Sequence, residues 1–318
     1  MNATLDLIIV NWNSGRQLHD CLKSIIAANR DSFELSRVVV VDNASSDGSV
    51  EALECISFPL TVIHNSENRG FAAACNQGVK ASTADYLLFL NPDTRLFADS
   101  LVKPIKFMQN AENAKVGICG IQLVDEQGCV SPTCTRFPTP ILFFYEMLGL
   151  TYLFPKMFPS YFMHQWEHTS SRELDHVIGA FYLVRCPVFE SLGGFDEDFF
   201  VYLEDLDFSY RAHQAGRSSY YLAEAQAFHK GGGTSEQVKA TRLFYSLRSR
   251  IVYGYKHFSW WSATGLMLGT LLFEPWVRIA FAITKHSFVQ VQDTVQGYAL
   301  LWRTLLSSRF KKEGVMRS

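Results

Sequence analysis

Four aliphatic or β-branched runs stand out in the first third of the chain: Leu5 to Val10, Arg37 to Val41, Leu60 to His64 and Tyr86 to Leu90. Each is continuous rather than alternating, as in parallel strands covered on both faces. Helical spacing fills the gaps between them. Leu18, Leu22, Ile25 and Ile26 recur at helical intervals after the first run, and Ser14 with Gln17 fits a capping box. A second crossover helix is expected after Asp47-Gly48, and a third from Gly70 to about Ala81. Strand and helix in this rhythm predict right-handed connections and an α/β sheet.

Farther along, Val116 to Val130 reads as a hairpin around Asp125 to Gly128. Residues 131–175 are rich in Pro, Phe, Tyr and Trp without a clear period, an insertion on the acceptor side or facing a membrane. Regular signals resume at Val177 to Val184. A helix opens near Glu204 and ends at Gly216, with short strands flanking Glu224. Phe258 to Phe273 is uncharged over sixteen residues and closed by Glu274-Pro275. A bilayer span needs about 20 apolar residues, so crossing is not expected. Four of the six tryptophans (Trp260, Trp261, Trp276, Trp302) fall here beside basic residues, the composition of interfacial segments. Phe288, Val291, Val295, Tyr298, Trp302 and Leu305 mark one helical face, followed by Arg309, Lys311 and Lys312. A helical pair packed on the preceding domain is the alternative. The division expected is 1–235 for a catalytic domain, with 131–175 as its variable insertion, and 236–318 for a helical, membrane-associating region.

Composition narrows this picture. A chain of 318 residues, 48% of them apolar, has material for one large core or two ordinary ones. The net charge of −2 hides an asymmetry, because Lys256 to Ser318 carries eight Lys/Arg against three Asp/Glu. That end prefers anionic neighbours. Seven cysteines at positions 21, 55, 75, 119, 129, 134 and 186 are odd in number and scattered, which fits a reducing cytosol better than a disulfide scaffold. The stretch MNATLDLIIVNW has no basic n-region, so no signal peptide is expected. No nucleic-acid partner is expected either.

In open α/β sheets ligands bind at the carboxyl ends of the strands, and these ends are polar here. They read Asn11-Trp12-Asn13, then Asp42 through Ser49, then Asn65 through Gly70, then Asn91-Pro92-Asp93. No Gly-x-Gly-x-x-Gly or Walker lysine loop follows the first strand, which argues against dinucleotide and P-loop chemistry. Asp93 closes an apolar strand, where a carboxylate is costly unless paired or ligated, so a hard cation such as Mg²⁺ or Mn²⁺ suits it; a plain turn is the bland alternative. Glu204, Asp205 and Asp207 open a helix behind the apolar run Phe199-Phe200-Val201-Tyr202. Dipole complementarity explains many such clusters, yet burial among like charges raises proton affinity, as a general base requires. His229 precedes Lys230-Gly231-Gly232-Gly233, where glycines allow close backbone approach to phosphate, although a lone histidine is more often structural.

Taken together, Val40 to Ser49, Asn68 to Asn76, Leu90 to Asp93, Gly194 to Phe200 and Glu204 to Phe208 resemble the motifs of family 2 inverting glycosyltransferases, and more narrowly the bacterial rhamnosyltransferase branch. The resemblance spans roughly residues 5–235. It implies a GT-A fold, a Rossmann-like mixed sheet with flanking helices, followed here by the C-terminal helical segment. It places Asn91-Pro92-Asp93 at the Asp-x-Asp position, with Asp93 and His229 as metal ligands and Asn91 standing where the first aspartate would be. Asn11, Asp42, Asn68, Gly70, Asn76 and Asn91 fall at the donor site, Asp42 at the pyrimidine base, and Asp205 becomes the catalytic base supported by Glu204 and Asp207. The activity implied is inverting transfer of a sugar, L-rhamnose from dTDP-L-rhamnose, to a polyprenyl-diphosphate-linked or polysaccharide acceptor of the cell wall or O-antigen, with Mg²⁺ or Mn²⁺. UDP-galactofuranose and UDP-N-acetylhexosamine are alternative donors. A non-catalytic membrane-associated binding protein of the same fold is the remaining alternative. The location implied is cytoplasmic, peripheral on the anionic inner face of the cell membrane.

Overall fold

The structure is a computed structural model that describes residues 3–51, 53, 59–231 and 238–307. Two compact units emerge, one of residues 1–136, 162–197 and 204–234, the other of 137–161, 198–203 and 235–318. The expected boundary at 235/236 and the glycines Gly232 and Gly233 lie outside the described residues, as do Cys55, Arg309, Lys311 and Lys312. The second unit takes in two segments that a linear division assigns to the first.

The apolar runs become strands β1 (Ala3–Asn11), β2 (Phe33–Asp42), β3 (Leu60–His64) and β4 (Tyr86–Leu90). They are joined by β5 (Thr94–Leu96), β6 (Val116–Val124), β8 (Arg172–Leu174), β10 (Phe181–Arg185) and β11 (Ser218–His229) in one nine-stranded sheet, while β7 (Cys134–Thr135) and β9 (His176–Val177) pair separately. The sheet order is β3-β2-β1-β4-β10-β6-β11-β5, with β8 on β11. β1 to β4 run parallel, β10 is antiparallel to β4 and β6, and β5 is antiparallel to β11. Helices α1 (Arg16–Ala27), α2 (Phe71–Val79), α3 (Val102–Gln109), α6 (Cys186–Ser191) and α7 (Glu204–Gln214) flank it. Over β1, β2 and β4 both sheet faces are buried, in one cluster around Leu7, Val40 and Leu88 and another around Ile8, Val41 and Phe89, which is why those runs do not alternate. β3, expected to be covered likewise, is the edge strand and leaves Thr61 and His64 exposed.

Several expectations are corrected. The Ser14 side chain does not cap α1; its hydroxyl donates to Asn11 Oδ1, and Gly15 precedes the helix without a side-chain cap. Ile26 lies off the buried face of α1. The second crossover falls partly at residues 52 and 54–58, outside the described residues. The Asp125 turn closes, but its returning arm is a single bridge from Val124 to Val130, since β6 instead pairs with β10 and β11. The two strands flanking Glu224 are one strand, β11, whose register against β6 slips between Leu222 and Gln226. Val177 to Val184 is divided between β9 and β10 by residues 178–180, and that break matters at the site below.

The second unit is helical: α4 (Pro140–Met147), α5 (Leu150–Leu153), α8 (Lys239–His257), α9 (Trp260–Leu272), α10 (Glu274–Thr284) and α11 (Phe288–Leu306). Glu274, buried at the start of α10, binds Arg250 of α8 and Arg278, whose Nε lies 2.9 Å away; Arg250 also donates to Thr270 at 2.9 Å. The α4–α5 segment packs on the same helices, with Tyr152 and Phe281 rings edge to face at 5.5 Å. On α11 the buried face is Thr294, Gly297, Tyr298 and Leu301, rotated from the one expected; Phe288, Val295 and Trp302 are exposed. The reason is close approach: a Cβ on Gly297 would stand 2.9 Å from Ala240 O, so a small residue, rather than the apolar ones, faces α8.

Candidate active site

Asn11 ends β1, Asp42 ends β2, and the register sets them side by side. Asn11 is fully buried and its Nδ2 lies 2.9 Å from Asp42 Oδ1, 3.0 Å from Ser45 Oγ and 2.8 Å from Ser49 Oγ. It is the hub of the loop after β2. The second Asp42 oxygen accepts from Ser45 N at 3.3 Å and stands 3.8 Å from His64 Nδ1. Asn43 ties this loop to the start of α2 by donating to Gly70 O at 3.1 Å, and Asn68 Oδ1 accepts from Gly70 N at 2.9 Å. Four expected donor-site residues thus share one sheet edge and one hydrogen-bonded framework.

Asn76 is engaged differently. Its Nδ2 donates to Phe195 O at 2.8 Å and to Glu197 Oε1 at 3.0 Å, and its Oδ1 accepts from Phe195 N at 2.9 Å. Both ends of the amide serve as a clamp on the Gly193-Gly194-Phe195 loop, so Asn76 shapes the site through that loop. Gly194 has φ 78°, and a Cβ there would lie 2.6 Å from Asn76 Oδ1, which accounts for the glycine.

At the end of β4, Asn91 O accepts from Thr94 N at 3.1 Å, so Asn91-Pro92-Asp93 is a tight turn leading into β5. Pairing of β5 with β11 then sets His229 opposite Thr94, and His229 Nε2 comes 3.4 Å from Asp93 Oδ1. Among the described residues no group of three or more His, Cys, Asp or Glu side chains converges as an ion site. Asp93 and His229 supply two donors, an oxygen and a nitrogen, both largely shielded from solvent. That set fits a Mg²⁺ or Mn²⁺ ion that completes its coordination with water and substrate phosphate oxygens, as such ions commonly do with one or two protein carboxylates.

Asp205 reaches the same edge through residues 179–180. Asn91 N donates to Ala180 O at 3.0 Å, and the adjoining Gly179 N donates to Asp205 Oδ2 at 2.6 Å. The other Asp205 oxygen accepts from Leu206 N at 2.8 Å. Two main-chain donors therefore orient this carboxylate at the N-terminus of α7, where the helix dipole favours negative charge. A Cβ on Gly179 would press on Asp205 Oδ2 at 3.0 Å. The raised proton affinity expected in this cluster is found on Glu204: burial and the adjacent Asp205 charge hold its carboxyl well above the ordinary carboxylate range. Asp207 is wholly buried and pairs with Arg211 Nε at 2.8 Å. Arg211 also donates to Leu192 O and Gly194 O, so this acid supports the glycine loop.

Sequence reasoning missed Gly179, His176, Tyr182 and Ser209, all of which gather round Asp205. Only the Gly179-Ala180 pair interrupting the Val177 to Val184 run carried a signal.

Comparison with known proteins bears on this arrangement. Residues 6–160 match the family described as Glycosyl transferase family 2. The chain is similar to N-acetylglucosaminyl-diphospho-decaprenol L-rhamnosyltransferase of Mycobacterium tuberculosis, 26% identical over 83% of this chain and 88% of that protein. It is also similar to rhamnosyltransferase WbbL of Escherichia coli, 31% identical over 53% of this chain and 61% of that protein. Among solved structures, the mannosyltransferase PcManGT of Pyrobaculum calidifontis, in complex with GDP-Man and Mn²⁺, aligns with a TM-score of 0.54 at 17% identity, over 99% of this chain and 84% of that one. S. aureus TarS 1-349 aligns with a TM-score of 0.52 at 15% identity, over 98% and 92%. These structures speak for the fold.

Proposed function

We propose that this family 2 glycosyltransferase, rhamnosyltransferase-like in sequence and GT-A in fold, transfers L-rhamnose from dTDP-L-rhamnose to a lipid-linked diphosphate sugar with inversion at the anomeric carbon. The observation that carries this reading is the pairing of two acidic positions with separate surroundings, Asp93 beside His229 and Asp205 on Gly179 N–H, joined through Asn91 and Ala180. Asp205 takes the proton of the acceptor hydroxyl. The hydroxyl oxygen then bonds to the anomeric carbon while the bond from that carbon to the diphosphate breaks, and its electron pair leaves with the nucleotide. A divalent ion held by Asp93 and His229 would neutralise the diphosphate charge. Asn11 and Asp42 hold the loop that meets the nucleotide base, and Asn68 and Gly70 position the N-terminus of α2.

Donor choice is tested by thermal unfolding of the full chain with Mn²⁺ and one nucleotide sugar at a time. A ligand at about 100 times its Kd adds about 2.7 kcal/mol. dTDP-L-rhamnose should raise the melting temperature by several degrees. A larger rise with UDP-galactofuranose or a UDP-N-acetylhexosamine replaces the donor and leaves the fold reading in place.

The second unit suits a lipid-linked acceptor. It holds 13 Lys/Arg against six Asp/Glu, a net of +7, and leaves −9 for the first. It also carries nearly all the exposed large apolar side chains, among them Leu153, Phe154 and Met157 near α5, Trp260, Trp261 and Phe273 at α9, and Trp276 on α10. Among the described residues no single helix is long and apolar enough to cross a membrane; α9 and α10 together are, but bend by 41° at their junction. This favours lying on the inner face of the cell membrane, with basic groups near anionic headgroups. The full chain should sediment with phosphatidylglycerol vesicles at low salt. Trp261→Glu with Trp276→Glu, which replaces rings 79% and 72% exposed, should release it. Equal sedimentation of the double variant removes this surface from the proposal.

A further inference from the structure

One buried titratable side chain has no task in the reaction as written. His176, on β9, is 3% exposed; its Nε2 lies 3.7 Å from Asp205 Oδ2 and its Nδ1 lies 3.0 Å from Ser209 Oγ. Ser209 Oγ is 2.6 Å from Tyr182 OH, which in turn is 3.1 Å from the main-chain oxygen of Asp205. The direction of this chain follows from counting protons. A carbonyl oxygen only accepts, so Tyr182 donates its single proton to Asp205 O. Its oxygen must then accept from Ser209, whose only proton is thereby used, and Ser209 Oγ must accept from His176 Nδ1–H. This is the one arrangement that satisfies all three contacts. A neutral imidazole with its proton on Nδ1 carries a bare lone pair on Nε2, the atom that faces Asp205.

We propose that Tyr182 and Ser209 lock His176 in the Nδ1–H tautomer, so that its Nε2 accepts a hydrogen bond from Asp205 once Asp205 has taken the acceptor proton. His176 is thus a positioning residue that makes Asp205 a stronger base. While Asp205 is ionised, its Oδ2 rests on Gly179 N–H with the Nε2 lone pair nearby. After proton uptake the new O–H turns to Nε2, a small side-chain rotation closing 3.7 Å to about 2.8 Å. A hydrogen bond made only by the neutral acid raises its proton affinity. His176 stays neutral because burial lowers its own proton affinity, against the pull of the Asp205 and Asp175 charges. The other groups facing this cluster are Glu204, Asp207 and Arg211 from α7, Tyr182 from β10 and Cys75 from α2. All are kept in the variants used below.

The inference rests on Asp205 being the base, but its first test does not need turnover. In the full chain labelled with ¹⁵N-histidine, long-range ¹H–¹⁵N correlation reads the tautomer of each ring, and the His176 signal is identified by its loss in His176→Phe. At pH 7 it should show a protonated Nδ1 and a bare Nε2, and in Ser209→Ala it should move to the other tautomer. A protonated Nε2 in the wild type, or an imidazolium, overturns the proposal. The second test is the pH profile of kcat for transfer from dTDP-L-rhamnose. In both His176→Phe and Ser209→Ala the acid limb should move down by about one pH unit, with the donor KM unchanged, since a tenfold weaker base corresponds to one unit. An unmoved limb in two variants that melt like the wild type overturns it. If Asp205→Asn keeps its turnover, the base assignment itself has failed, an outcome separate from the tautomer result.

Discussion

Asparagine at position 205 should lower turnover by about 10²- to 10⁴-fold, the usual contribution of a positioned general base, while donor binding changes little. The geometry separates the two effects. Asp205 meets Gly179 N at 2.6 Å and Leu206 N at 2.8 Å, contacts with the site's own main chain, whereas Asn11, Asp42 and Asn68, to which the proposal gives the donor, are held by other bonds. Asparagine can accept at one of these positions only. Its amide NH₂ then faces a main-chain N–H, at a cost of about 1–3 kcal/mol for the unsatisfied pair. The variant should therefore melt a few degrees lower yet fold, because Leu206, Phe208 and Ala212 still bury the inner face of α7. Calorimetric titration with dTDP beside a transfer assay reads both quantities. Turnover near that of the wild type would take the base role from Asp205, and the neighbouring Glu204 would be the next acid to examine, with its raised proton affinity.

Much of this site could be read in the sequence because the physics behind it is local. A continuous apolar run with a polar end is a buried parallel strand, and β1, β2 and β4 obey that rule, whereas β3, at the sheet edge, is only half-buried. The acids opening α7 are equally local. What escaped notice depends on distant pairing. Ser14 has the right spacing for a cap, but Asn11, a residue of the strand end, competes for its hydroxyl and wins. His176 and Asp205 stand 29 positions apart, and their approach is set by the break between β9 and β10, which no periodicity announces. The face of α11 turned away from Phe288 and Val295 because α8 passes so close at Gly297 that only a glycine fits. Hydrophobic patterning predicts which side is apolar, while close packing selects which side is small.

Removing divalent metal should abolish transfer, and Mn²⁺ should restore it. In a nucleotide-sugar reaction the leaving diphosphate gains negative charge as its bond to the sugar breaks, and Asp93 adds a carboxylate to that neighbourhood. Without a countercharge the two repel. The Asp93–His229 pair at 3.4 Å is fixed by the β5–β11 register and by Lys230 N donating to Asp93 O at 3.3 Å, so its two donor atoms are already in place. Mg²⁺ prefers oxygen donors, whereas an imidazole nitrogen suits later transition metals better. Asp93→Ala should therefore lose activity with either ion, while His229→Ala should lose more of its activity with Mn²⁺ than with Mg²⁺. Assay of the wild type in EDTA, followed by addition of each metal to all three proteins, gives the comparison. Full turnover in EDTA would reduce Asp93 and His229 to a buried carboxylate–imidazole contact at the edge of the sheet. Equal losses with both ions in His229→Ala would leave Asp93 as the ligand and make His229 its support, holding the carboxylate in the orientation that β5 presents.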